Sequence, residues 1–108
     1  MARSSVTSAA PVFAALGDET RLTVVARLSA SGPQSIVRLT DGTDVSRQAI
    51  TKHLHALEGA GLVQSERAGR EQIWTLRPER LAEARAYLAR VSERWDEVVE
   101  RLRKLVET

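Results

Sequence analysis

The chain has 108 residues, of which 43% are hydrophobic and 28% are charged, and its formal net charge is +2. This length and composition predict one globular domain and exclude a disordered chain. The absence of cysteine excludes disulfides, thiolate metal sites and thiol catalysis. No stretch approaches the roughly 18 apolar residues of a membrane span, and the N-terminus lacks the apolar core of a secretion signal. We therefore expect a cytoplasmic protein without a membrane partner.

The overall charge says little about the partner of this protein. The segments 35–76 and 78–108 each contain as many acidic as basic residues. Any surface for nucleic acid must therefore come from the placement of individual side chains and not from the net charge.

The first third of the chain is predicted to contain a tail and two helices. Residues 1–8 are polar and are expected to be flexible, whereas residues 9–16 (AAPVFAAL) form a short apolar helix candidate. Asp18 can cap the second helix, whose apolar residues recur at helical spacing. The segment ASGP at 30–33 ends that helix.

Residues 35–60 have the layout of a helix-turn-helix. Ser35 is an N-cap candidate for a helix of barely two turns, which the turn residues DGTD end. Ser46 can cap a longer helix that ends at the glycine-rich segment GAG. A short helix, a tight turn and a longer helix in close succession are typical of this motif.

Residues 62–76 predict a β-hairpin that would form a wing beside the helix-turn-helix. Two β-prone runs flank Ala68-Gly69-Arg70, where glycine permits the turn. Arg67 and Arg70 flank the tip, and beside a helix-turn-helix they fit a wing that lies in or near a minor groove. Trp74 is interpreted as a packing residue at the base of the wing.

The last helix, residues 78–108, opens at Pro78 and has the strongest periodicity in the chain. Its apolar residues recur in steps of three and four: Leu81, Ala84, Leu88, Val91, Trp95, Val98, Leu102 and Leu105. A helix of ~45 Å is longer than a small domain needs to cover its core. We therefore predict that this stripe, assisted by residues 9–16, forms a homodimer. A ligand pocket lined by Trp95 and Tyr87 is the alternative.

The helix 46–60 has a buried side and an open side when its residues are placed about 100° apart. Ile50, Leu54 and Leu57 define the buried side. The residues predicted to bind DNA lie on the open side, at its edge or at the N-terminus: Ser46, Arg47, Gln48, Thr51, Lys52 and His55. No acidic residue occurs between Ser46 and Glu58, and a helix N-terminus favours an anion. These side chains reach base edges or phosphates in DNA-binding helices.

The two histidines do not indicate a metal site or catalysis. His53 and His55 point about 160° apart on the helix, so they cannot share an ion. Without cysteine we expect no metal and no cofactor. His53 is interpreted as a core-edge residue that donates to a backbone carbonyl, with a phosphate contact as the alternative. His55 is either solvated or a DNA contact. No nucleophile lies beside them and no GxGxxG loop occurs, so we do not expect an enzyme.

Three segments together resemble the ArsR-type (arsenic-repressor family) winged helix-turn-helix regulators: ALGDETRL at 15–22, SRQAITKHLHALEGAGLV at 46–63 and RAGR at 67–70. The resemblance spans about residues 11–90. It implies a mainly α fold with a small β-hairpin wing and a long C-terminal dimerisation helix. It also implies a homodimer that binds double-stranded operator DNA and represses transcription.

The chain departs from the metal-sensing members of that family. Those members have cysteines in the first helix of the helix-turn-helix, or acidic and histidine ligands in the last helix. Here the first helix reads SIVRLT and the last helix contains no histidine. The resemblance therefore does not imply that this chain senses a metal, and the sequence indicates no effector. A winged helix that binds another protein, without specific DNA binding, is the alternative function, and the balanced charge of residues 35–76 is its support.

Overall fold

The computed structural model describes the backbone of residues 2–107 and the side chains of residue 6 and residues 8–107. Five helices and three strands occur within this range: α1 (Ala2–Leu16), α2 (Glu19–Ser31), β1 (Gln34–Ser35), α3 (Ile36–Thr40), α4 (Arg47–Gly59), β2 (Val63–Ala68), β3 (Glu71–Leu76) and α5 (Pro78–Glu107). The strands form an antiparallel sheet in the order β1-β3-β2. The predicted fold class, a mainly α winged helix-turn-helix with a long C-terminal helix, is confirmed.

The structure differs from the expectations drawn from the sequence in two places. Helix α1 begins at Ala2 and not at residue 9. The flexibility expected of residues 1–8 stays a prediction. This segment contains no glycine or proline, and the helix continues through Pro11. The sheet also contains a third strand, because Gln34 and Ser35 pair with β3. A strand of two residues is too short to produce an alternating pattern.

The core lies between the helix-turn-helix and the sheet. Its largest fully buried side chains come from α1 to α4, the turn after α4 and the sheet: Val12, Val24, Leu39, Ile50, Leu54, Leu57, Leu62, Val63 and Trp74. The predicted buried face of α4 is confirmed, because Ile50, Leu54 and Leu57 are each at most 1% exposed. The interpretation of Trp74 as a packing residue is confirmed as well. These apolar contacts fix which side of α4 faces outward.

The helices of the helix-turn-helix begin at the predicted N-caps. The Ser35 side chain accepts a hydrogen bond from the Arg38 backbone N–H, and the Ser46 side chain accepts one from the Ala49 N–H at 3.1 Å. After α4 the chain turns at Gly61, whose φ of 77° lies in the left-handed region that favours glycine. Local sequence signals therefore set both ends of α4.

Helix α5 projects beyond the core. Its Ala84 is buried, Leu81 packs against the core, and the ring of Tyr87 lies 6.1 Å from that of Phe13 in α1. The molecule measures 67 × 30 × 20 Å, and its radius of gyration of 18.2 Å exceeds the ~13 Å of a compact chain of this length. The second half of α5 therefore extends away from the rest of the domain. None of the described helices combines the length and the apolar character that crossing a membrane requires.

Candidate DNA interface

The N-terminal half of α4 forms the open surface of the helix-turn-helix. Arg47, Gln48 and Lys52 are exposed, and Thr51 is partly exposed. These side chains and Ser46 border one shallow surface concavity. The structure therefore brings five of the six residues predicted on this helix to one outward face.

Two hydroxyl groups on this face bind the helix backbone. The Ser46 side chain caps α4 as described above, and Thr51 Oγ1 donates to the Arg47 carbonyl oxygen at 2.8 Å. Thr51 thus offers its methyl group and an acceptor lone pair to a ligand, but not its hydroxyl proton. Other backbone N–H groups of the first turn have no partner within the helix and can donate to a phosphate oxygen. A direct DNA contact by Ser46 stays a prediction.

Two substitutions at Ser46 should separate its role as a cap from its place at the DNA face. Ser46→Ala should lower the free energy of unfolding by ~0.5–2 kcal/mol, because the Ala49 amide loses its acceptor. Ser46→Asp should keep the cap and the stability, yet weaken DNA binding, because a carboxylate would face the approaching phosphate. Denaturant unfolding and DNA titration of both variants provide the measurement. DNA binding of wild-type strength by Ser46→Asp would show that phosphates do not approach this end of α4.

His55 contacts the protein at the far end of the α4 surface. Its Nδ1 lies 3.2 Å from Glu58 Oε1, and its ring meets the ring of Trp74 at a centroid distance of 5.7 Å and an angle of 82°. This edge-to-face geometry is favourable for aromatic pairs. His55 therefore joins α4 to the base of the wing, although its side chain is still 59% exposed. Its predicted DNA contact would have to use the other ring nitrogen.

His53 lies at the edge of the core, as interpreted from the sequence, but its Nδ1 contacts side chains of the preceding segment and not a backbone carbonyl. Its Nδ1 lies 3.3 Å from Arg21 Nη1 and 3.8 Å from Asp18 Oδ1. The guanidinium can only donate, so Nδ1 accepts this bond in the neutral imidazole. The partners come from α2 and the residue before it, which helical periodicity within α4 could not indicate. Among the described residues no group of three or more potential ligands is arranged for a metal ion.

Asp18 caps α2, as the sequence predicted. The Arg21 backbone N–H donates to Asp18 Oδ1 at 3.0 Å, and this bond is the main reason that the pKa of the carboxyl lies below its ordinary value. Since the pKa is lowered in the folded state, the charged carboxylate contributes stability above about pH 4. That contribution is lost as the pH falls through the lowered value. Asp18 is therefore ionised in the neutral range, beside His53.

The wing carries its two predicted arginines at an exposed tip. Gly69, with φ of 64°, forms the turn between them. Arg67 pairs with Gln72 in the antiparallel register and lies on the same face of the hairpin as Trp74. The ring of Trp74 contacts His55, so this face of the hairpin is turned toward α4. The contribution of Arg67 and Arg70 to a DNA face stays a prediction.

One basic residue at this surface was not predicted. Arg38 of α3 is exposed, and it borders a second concavity together with Arg47 and the turn between α3 and α4. The first helix of a helix-turn-helix crosses the DNA backbone, so Arg38 is a candidate for a phosphate contact. Its place in the last turn of that helix was the signal that could have identified it.

A second exposed surface lies on the projecting part of α5. We call it the α5 stripe and define it by its apolar residues: Leu88, Val91, Trp95, Val98, Val99, Leu102, Leu105 and Val106. Trp95 is 64% exposed and Leu102 is 57% exposed. Leu81, predicted to belong to the interface, packs instead against the core of its own chain. Tyr87 packs on Phe13, which argues against a pocket between Tyr87 and Trp95.

Val99 and Val106 were missed in the sequence. Both are exposed, and each follows a residue of the predicted series. A series that takes one residue per turn leaves out the neighbours that widen an apolar face. Including them makes the α5 stripe broader than the sequence indicated.

Comparison with known proteins identifies the family. A family model described as a helix-turn-helix domain matches residues 16–66. The HTH-type transcriptional regulator Rv2034 of Mycobacterium tuberculosis is 41% identical over 76 residues, which cover 70% of each chain. An ArsR-like transcriptional regulator from Rhodococcus sp. RHA1 matches with a TM-score of 0.80 and 36% identity, over 94% of this chain and 95% of that one.

A third similar protein is the homodimeric winged helix-turn-helix DNA-binding domain Mb0332 from Mycobacterium bovis, with a TM-score of 0.65 and 26% identity. The match covers 82% of this chain and 81% of that one. With its winged helix-turn-helix and its likeness to the Rhodococcus and Mycobacterium regulators, the chain is a member of the ArsR family of transcriptional regulators.

Proposed function

We propose that the chain acts in the cytoplasm as a homodimer that binds an inverted-repeat operator and represses transcription there. The observation that carries the proposal is the outward face of α4, where Arg47, Gln48, Thr51 and Lys52 lie beside the open end of the helix. Arg67 and Arg70, which flank the exposed tip of the wing, would add two further cations to this surface. In a two-fold dimer, each α4 would enter a major groove, with the two helices ~34–36 Å apart.

The side chains on this face divide into two roles. Gln48 and Thr51 would read base edges, because glutamine can form two hydrogen bonds to adenine and threonine can contact a thymine methyl group. The cations would hold the phosphate backbone or line the minor groove: Arg38, Arg47, Lys52, Arg67 and Arg70. Phosphate contacts position the protein, whereas base contacts select the sequence.

The α5 stripe supports the homodimer. Soluble monomers rarely expose contiguous apolar patches of several turns, since such a patch favours association. The stripe lies on the part of α5 that projects beyond the core, where a second copy can pack without displacing the chain's own core. The similar Mycobacterium bovis domain is described as homodimeric, and we extend that state to this chain. No role in DNA binding or catalysis is needed to explain these residues.

Selection of DNA from a random pool tests the proposal. The protein should enrich duplexes with an inverted repeat, and the selected sequence should bind roughly 10³-fold or more tightly than a scrambled one at physiological salt. Placing the selected site over a promoter should lower reporter expression when the protein is present. Enrichment of no sequence would contradict specific DNA binding, and a rise in expression would contradict repression.

A protein-binding winged helix remains the second candidate, because residues 35–76 contain as many acidic as basic residues. Glu66 and Glu71 lie on the wing next to its arginines. Salt dependence separates the two functions. Log K for DNA falls steeply with log salt as counterions are released, whereas an apolar protein interface responds little.

A further inference from the structure

A polar cluster links α4, the proposed recognition helix, to α1 and α5, the helices of the proposed dimer interface. It consists of Asp18, Arg21 and His53. Arg21 Nε donates to the Ala15 carbonyl oxygen at 2.6 Å, and its Nη1 donates to His53 Nδ1 at 3.3 Å. Its backbone N–H donates to Asp18, whose carboxylate lies 3.8 Å from the imidazole. One arginine thus contacts the last turn of α1, the start of α2 and the middle of α4.

The cluster adds directional contacts to α4, which the apolar core alone does not provide. Ile50, Leu54 and Leu57 bury one side of α4, but apolar packing is non-directional and constrains the helix mainly through shape. Hydrogen bonds are directional, so the bond from Arg21 to His53 constrains the angle as well as the distance between α2 and α4. Because His53 lies at the edge of the buried side, its bond to Arg21 opposes rotation of α4 about its axis.

The cluster also contacts α1, which packs against α5, the helix of the proposed dimer interface. Helix α1 packs along α5, through contacts such as that between Phe13 and Tyr87. The Ala15 carbonyl that Arg21 binds lies in the same helix, two residues after Phe13. A displacement of α1 and α5 would therefore pass to α4 through Arg21.

We propose that Arg21, together with His53, is a positioning residue that sets the orientation of the recognition helix relative to the dimer and thereby selects the half-site spacing of the operator. This inference rests on the proposed function. Arg21 and His53 would not touch DNA. With the cluster intact, the two α4 helices are held at one separation and one angle. When the cluster is lost, each α4 can adjust, so operators with other spacings become acceptable.

The side chains in the cluster suggest variants that differ in one property. His53→Asn keeps an acceptor, because its side-chain oxygen can occupy the position of Nδ1. His53→Leu has a similar volume and removes the acceptor. Arg21→Lys retains the charge but loses the planar fork that lets arginine bind Ala15 and His53 together. The first variant should behave as wild type, and the other two should not.

The experiment measures affinity for the duplex selected by the wild-type protein and for duplexes whose half-sites are moved apart by two base pairs. That insertion moves one half-site by about 7 Å and turns it by about 70°. Wild type and His53→Asn should prefer the original spacing by about tenfold or more. His53→Leu and Arg21→Lys should reduce this preference to about threefold or less while binding random DNA as wild type does.

A control for stability is available in the same helix. Val24→Ala removes buried volume from α2, where the side chain is 1% exposed, without touching the cluster. It should lower the melting temperature and keep the spacing preference. If His53→Leu or Arg21→Lys keeps the wild-type preference, the positioning role is wrong, and the same holds if Val24→Ala loses it. If the wild-type protein selects no inverted repeat, the proposed function itself fails, which is a different result.

If His53→Leu or Arg21→Lys fails to fold, the inference is still tested by the one of the two that folds and by His53→Asn. A loss of spacing preference in His53→Asn, with its stability and its affinity for random DNA unchanged, would contradict the proposal that the acceptor at position 53 positions α4. A retained preference in His53→Asn together with a lost preference in Arg21→Lys would support the positioning role.

Discussion

Replacement of both Val98 and Leu102 with glutamate is expected to convert the proposed dimer into a monomer. Burying a valine or leucine side chain contributes about 1.5–3 kcal/mol, and two protomers would lose four such contacts. The change exceeds ~5.5 kcal/mol, so the dimer dissociation constant should rise by at least ~10⁴-fold. Burial of the four unpaired carboxylates would add a further cost. Light scattering and analytical ultracentrifugation at micromolar concentration give the mass directly.

The control for this prediction adds the same charges to the opposite face of α5. Ala86 and Ala89 are exposed and point away from the α5 stripe at the helical angle of about 100° per residue. The Ala86→Glu, Ala89→Glu variant should therefore remain dimeric.

Affinity for the full inverted repeat should fall in the stripe variant toward that of an isolated half-site. A stripe variant that retains the wild-type mass would place the interface elsewhere on the chain.

The second large effect concerns DNA recognition, where base and phosphate contacts should fail in different ways. Gln48→Ala should lose about 1–3 kcal/mol on the selected operator and little on random DNA, because the lost contact is to a base. Lys52→Ala and Arg70→Ala should weaken binding to both DNAs alike. Each should also reduce the slope of log K against log salt by about one unit, as one fewer phosphate is neutralised.

Binding at three salt concentrations on the selected and the scrambled duplex separates these outcomes. Lys104→Ala is the matched control, since Lys104 is an exposed cation in the last turn of α5, remote from the recognition helix. It should change neither the affinity nor the slope. If Gln48, Lys52 and Arg70 can all be replaced without effect, α4 and the wing are not the DNA face, and a protein-binding function becomes the better explanation.

Local signals in the sequence were sufficient for α4 and the wing. Ser46 caps the helix, its apolar residues recur at helical spacing, and Gly69 permits the hairpin turn, so each feature depends on residues close in the chain. The same signals put Gln48 and Lys52 on the outward face. A long, capped and strongly amphipathic helix needs no tertiary information to define its buried side.

Contacts between distant segments account for most of what the sequence did not indicate. His53 binds Arg21, which lies 32 residues earlier, and no periodicity within α4 contains that information. Leu81 belongs to the same apolar series as Trp95, yet α1 covers only the start of α5, so one residue is in the core and the other is exposed. Strand β1 exists because β3 is present to pair with it. The contact of His53, the burial of Leu81 and the formation of β1 each depend on which distant segment packs beside them.

The projection of α5 beyond the core has a consequence for gene regulation. Each chain has its own core, and the α5 stripe lies outside it, so substitutions in the stripe would change the strength of the proposed association without disturbing that core. Where the dimer dissociates at cellular concentrations, operator occupancy at low saturation rises with the square of the amount of protein. Halving the copy number would then reduce occupancy to about a quarter. Substitutions in the α5 stripe would therefore tune how sharply a cell responds to its own regulator level.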